Sequence, residues 1–194
     1  MVTVAQGAGR RRTAWLGRRW PTAAGIVMAA SLAAAFWVGF ADLRDLAQIL
    51  TAAGLVYLGA GALRRRAAAW PLFAMTFVLI GIGFAVPGFD PTLWMSGIAV
   101  ALLVYGLARG ALRPPWGMPL QAGVMVLIVA LVVVAAWVGQ PWAGVLVGVG
   151  LLAHAGWDVY HHRTRRVVAS SMAEFCCVLD TLVGVALIVT SLVA

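Results

Sequence analysis

Breaks bearing arginine, proline and glycine cut this chain of 194 residues into seven apolar runs. The runs cover about 22–40, 46–63, 67–87, 92–108, 119–139, 142–162 and 167–193. An α-helix of roughly 20 residues rises far enough to cross a hydrocarbon core about 30 Å thick. Inside that core each backbone N–H and C=O needs a partner, and a helix supplies it from its own segment. The sequence therefore predicts an all-α, polytopic membrane helix bundle with seven transmembrane helices. Composition removes the soluble alternative. Hydrophobic residues make up 63% of the chain and charged residues 10%, against roughly 45–50% and about 25% in a water-soluble domain. Basic residues precede the first run, as in a secretory signal. Its apolar stretch is long for one, and no soluble domain follows, so it reads as an uncleaved first helix. The expected organisation is a basic cytoplasmic tail over 1–20 and a single transmembrane domain over 21–194.

All 14 basic residues are arginine, and the net charge is +8. They cluster between apolar runs instead of forming one basic face, which argues for membrane orientation and against a nucleic-acid partner. The lack of lysine excludes Schiff-base chemistry, including that of a retinal protein. Arg10, Arg11, Arg12, Arg18 and Arg19 precede the first run, and Arg64–Arg66, Arg109 with Arg113, and Arg163 with Arg165 and Arg166 occupy alternate connections. Only Arg44 falls on the opposite side, together with Asp42, Asp45 and Asp90. Arginine-rich short loops stay in the cytoplasm, so the N-terminus is expected inside and the C-terminus outside, in the cell (cytoplasmic) membrane. Tryptophans near both ends of the runs fit interfacial belts. Trp37-Val38-Gly39 and Trp137-Val138-Gly139 end the first and fifth runs. That echo suggests a 3+1+3 parallel repeat, a layout found among transporters that by itself assigns no function.

Reactive side chains are concentrated. All three histidines, both cysteines and the acids outside the outer loops lie between His154 and Asp180. Such groups are expensive in a bilayer unless paired or solvated, so two helices carrying all of them need a reason. At about 100° per residue, His154, Asp158 and His161 share one face of the sixth helix, with His162 displaced. On the seventh, Ser170, Glu174 and Cys177 form one stripe, and Cys176 and Asp180 another. With the interface at Arg163 and the seventh helix starting at Val167, a rise of about 1.5 Å per residue sets His154 roughly 13 Å deep and Glu174 roughly 10 Å. The expected constellation is thus His154, Asp158, His161 and Glu174 near the cytoplasmic face. Cys177 lies at its edge, and Asp180 in a deeper pocket.

Imidazole and carboxylate in this mixture suit a divalent transition metal: zinc, iron, manganese or copper. Glu174 or Asp158 would then serve as general base. The Asp-x-x-His-His run resembles the histidine boxes of membrane desaturases, but three histidines are too few for their two-iron site. Plainer roles are available for each residue. His161 and His162 can be solvated beside the arginines, His154 and Asp158 can form an i, i+4 hydrogen bond, and the cysteines can be small apolar fillers. No C-x-x-C pair is present. Gly144 and Gly148 make a small-x-x-x-small stripe that close helix packing explains. Three functions fit: a membrane-embedded metal enzyme acting on a lipid-like or other small molecule, a proton-coupled or metal/solute carrier, and a structural subunit of a membrane complex. A homo-oligomer is compatible with each.

Overall fold

A computed structural model describes residues 19–39 and 42–193. Residues 1–18, the greater part of the expected basic tail, lie outside the described residues. The chain forms α1 (Trp20–Trp37), α2 (Leu43–Ala62), α3 (Ala69–Ala85), α4 (Pro91–Ala108), α5 (Met118–Trp137), α6 (Trp142–Thr164) and α7 (Ser170–Val193), with a 3-10 turn at Arg66–Ala68 before α3. No strand occurs among the described residues. All seven helices are long and apolar enough to cross a membrane.

Local chemistry sets the helix limits. Asp42 caps α2 by accepting from the Asp45 N–H, and the Asp45 side chain accepts from the Asp42 N–H in return, which satisfies two end donors at once. Asp90 caps α4 through the N–H groups of Thr92 and Leu93, with Pro91 in the first turn where no donor is needed. Arg165, in the left-handed region at φ 52°, closes α6 by returning its N–H to the His161 carbonyl.

Burial divides the helices sharply. From Leu46 to Ala62, every α2 residue but Ile49 is buried. This helix packs against α3, α4, α5 and α6 and is the axis of the bundle. Its small residues allow those approaches: the Gly59 position faces Leu72 and Leu102, and Gly61 lies against the Met118 backbone. The outer helices turn Val27, Phe77, Leu93, Val126 and Leu127 outward, each more than half exposed. A soluble protein could not carry an apolar rind of that extent, whereas lipid accepts it.

On the opposite side of the bundle, α7 lies between α6 and α1. The α6–α7 seam is narrow: a Cβ on Gly148 would stand 2.8 Å from the Gly184 carbonyl oxygen, and one on Gly184 2.8 Å from that of Gly148. The first helix, α1, lies along α7. That leaves an apolar cleft between α1, α2, α3 and α7.

Candidate metal centre

The turn between α6 and α7 decides which side chains meet. The sequence suggested a four-residue link, but α6 continues to Thr164 and α7 begins only at Ser170, with Val167 and Val168 folded into the interior. In an antiparallel pair, residues equally far from the turn stand level. His154 is ten residues before Thr164, and Asp180 ten residues after Ser170. Both stand about 15 Å from the turn. The level partner of His154 is therefore Asp180, where the sequence pointed to Glu174.

His154 Nδ1 lies 2.9 Å from Asp180 Oδ2 and 3.5 Å from Asp158 Oδ2. The Tyr57 hydroxyl, reaching across from α2, donates to Asp158 Oδ1 at 2.5 Å. Its ring meets the His154 imidazole edge-on, at 5.2 Å between centroids. All four residues are buried, and Asp158 is fully inaccessible. His154 Nε2 and Asp158 Oδ2 have no hydrogen-bond partner. A buried carboxylate oxygen without a hydrogen bond is costly, and Asp158 Oδ2 has only the His154 ring at 3.5 Å beside it, so it has room for a further ligand.

The donor set fits a small divalent cation. One ligand atom from each of His154, Asp158 and Asp180 lies within 4.8 Å of the other two. Metal–ligand bonds of about 2.0–2.2 Å at tetrahedral to octahedral angles put neighbouring donors roughly 2.9–3.5 Å apart. The two His154 separations span that interval. One nitrogen and two oxygens match zinc, iron or manganese better than a thiolate-seeking metal. Tyr57, by holding Asp158 Oδ1, would orient the ligand carboxylate as an outer partner.

The other candidate residues lie elsewhere. Glu174, expected as a ligand and base, turns toward α1: its carboxylate accepts from the Thr22 hydroxyl at 2.5 Å and stands 3.6 Å from Arg19. The Asp180 stripe faces His154, so the Glu174 stripe about a third of a turn away faces α1. His161 also leaves the cluster. Gln121 donates one N–H to the Trp116 carbonyl and the other to His161 Nε2, each at 3.3 Å, while Trp157 Nε1 donates to Gln121 Oε1. His161 Nε2 is therefore an acceptor and the neutral ring carries its proton on Nδ1, a buried nitrogen without a partner. His162 Nδ1 donates to the Ser170 carbonyl across the turn. Cys177 is half-buried at the edge of α7, and Cys176 is buried with its thiol against the Met172 sulfur.

Tyr57 and Gln121 did not stand out in the sequence, although each is a polar side chain within a membrane-length apolar run. Their remoteness from the His154–Asp180 segment concealed them. The cleft between α1, α2, α3 and α7 has a volume near 170 Å³ and reaches Asp180 and Cys176 at its inner wall. Met28, Leu32, Ile49, Val56, Phe73 and Phe77 line most of the rest. A second cleft, between α2, α5 and α6, has His154 and Trp157 in its wall. No protein-family model, curated protein or solved structure matches the chain.

Proposed function

We propose that this is a cell-membrane metalloprotein that acts as an enzyme on a lipophilic substrate. His154, Asp158 and Asp180 hold one divalent transition metal within the bilayer. One observation carries the reading: Asp180 is at once a member of the buried N/O/O set and part of the wall of an apolar cleft. A substrate dissolved in hydrocarbon would meet the centre without passing through water. When bound, the metal supplies Lewis-acid polarisation of a substrate oxygen. Asp158, its Oδ1 held by the Tyr57 hydroxyl, would serve as a fixed ligand. Apolar walls exclude competing water. In this reading the arginine-rich connections are cytoplasmic, the tail precedes a single seven-helix domain, and Glu174 ties α1 to α7 instead of acting on substrate.

Elemental analysis of gently solubilised protein tests the proposal. About one equivalent of zinc, iron or manganese is expected. It should be lost in His154→Ala and Asp180→Asn but kept in Glu174→Gln. Protein that takes up no metal after reconstitution with each of these ions would refute it.

The second cleft on the far side of His154 favours one other reading, a carrier with its cation or proton site between two access routes. Carrier activity requires uptake into proteoliposomes that depends on Asp180. The apolar lining of both clefts weighs against it, because a hydrated ion needs polar walls.

A further inference from the structure

A separate concavity of about 320 Å³ lies at the end of the bundle where three connections converge. Arg64 and Arg66 reach it from the α2–α3 link, Arg113 from the α4–α5 link, and Arg166 from the α6–α7 turn. Orientation in a membrane requires arginines at this end, but does not require them to surround a cavity. Here three of the four are held in place. Arg64 donates to the carbonyls of Gly110 and Arg113, and Arg66 to that of Arg165. The Arg166 guanidinium lies over the Trp116 ring, 5.1 Å from its centroid. Carbonyls and an indole face fix Arg64, Arg66 and Arg166 without cancelling their charge. Among the described residues, no carboxylate comes within 4.0 Å of any of the four, and Glu174 is engaged with Arg19. Gly117 and Met118 complete the wall and bring the positive end of the α5 dipole to it.

We propose that this pocket binds a phosphate-bearing anion. Four uncompensated guanidinium groups around one cavity repel one another until an anion enters. The planar fork of arginine matches phosphate oxygens in pairs, so phosphate is favoured over a monovalent halide. The phosphate comes either from the headgroup of an anionic phospholipid in the same leaflet or from a soluble phosphorylated compound. The site stands independently of the metal centre and its proposed chemistry.

The full-length protein in phosphatidylcholine nanodiscs provides the test, with inorganic phosphate titrated by calorimetry and phosphatidylglycerol retention followed by native mass spectrometry. Arg113→Gln and Arg166→Gln should each weaken binding about tenfold or more, the usual effect of losing one charge-assisted contact. Arg163→Gln, at the same end but not part of the pocket wall, should leave it within about twofold, since it has no direct contact to lose. Retained phosphatidylglycerol that phosphate does not displace identifies a lipid headgroup. Saturable phosphate binding that displaces the lipid identifies a soluble ligand. Equal loss in Arg163→Gln and the pocket variants would show diffuse surface charge and overturn the proposal, as would wild-type protein that binds neither probe. Arg113→Gln leaves the Arg166–Trp116 stack intact, so its result stands even if Arg166→Gln fails to fold.

Discussion

The α6–α7 seam sets how close His154 and Asp180 can come, and Gly184→Ala tests that dependence directly. Asp180 and Gly184 are one helical turn apart on α7. The added Cβ would lie 2.8 Å from the Gly148 carbonyl oxygen and 3.2 Å from the Leu151 Cβ. An ordinary carbon–oxygen contact needs roughly 3.3–3.6 Å, so the helices must part by about half an ångström or more. The obstacle is backbone on a packed helix, which no rotamer change can clear. Overpacking of this kind costs about 1–3 kcal/mol, partly offset by up to about 1 kcal/mol from replacing a helical glycine. The expected net loss is about 1–2 kcal/mol, read as an earlier midpoint in SDS-driven unfolding. Metal retention should fall in parallel, because the 2.9 Å His154–Asp180 separation lengthens with the seam. Gly156→Ala is the matched control: it lies on α6 with nothing within 4 Å of its Cβ position, and should be neutral or slightly stabilising. Gly148→Ala combined with Gly184→Ala should cost less than the sum, since either alone opens the same seam. Gly184→Ala that unfolds at the wild-type midpoint with full metal content would refute the seam as the determinant of the centre.

Tyr57→Phe removes the donor to Asp158 Oδ1 while keeping the ring; about 1–3 kcal/mol of stability should be lost, and metal affinity should drop about 10–100-fold in a competition titration against a chelator. Gln121→Leu leaves Trp157 Nε1 and His161 Nε2 without partners, so Trp157 emission should change and SDS resistance should fall by about 1–3 kcal/mol, while metal stoichiometry stays near the wild-type value. Thr22→Val cuts the hydroxyl tie between α1 and α7 and should speed proteolysis near α1 without altering metal content; loss of metal here would return Glu174 to the centre.

Helix number and type were legible because a membrane span is marked by length and apolarity alone, and neither depends on what a helix touches. The location of the reactive cluster was legible for the same reason: His154, Asp158 and Asp180 are conspicuous in apolar surroundings. Which of them face one another was not. That choice turned on where α6 stops and α7 starts, and a displacement of three residues at the Ser170 end rotates the facing stripe from Glu174 to Asp180. The apolar pattern cannot fix that boundary, because Val167 and Val168 are as hydrophobic as any helical residue yet belong to the turn. Tyr57 and Gln121 depend on contacts 101 and 40 residues away in sequence, beyond the reach of any local signal.

The buried position of α2 bears on how the protein is made. It leaves the ribosome before α3 to α6, and it carries Gln48, Thr51 and Tyr57 on a surface that ends almost wholly enclosed. The helices that enclose it, α3 to α6, are synthesised after it, and the Asp158 that receives the Tyr57 hydroxyl is 101 residues downstream. During synthesis this polar-flecked helix must wait in lipid, or beside the insertion machinery, until its neighbours arrive. Its integration is thus coupled to theirs, and a chain interrupted before α6 would leave the axis of the bundle exposed to lipid with its tyrosine unpaired.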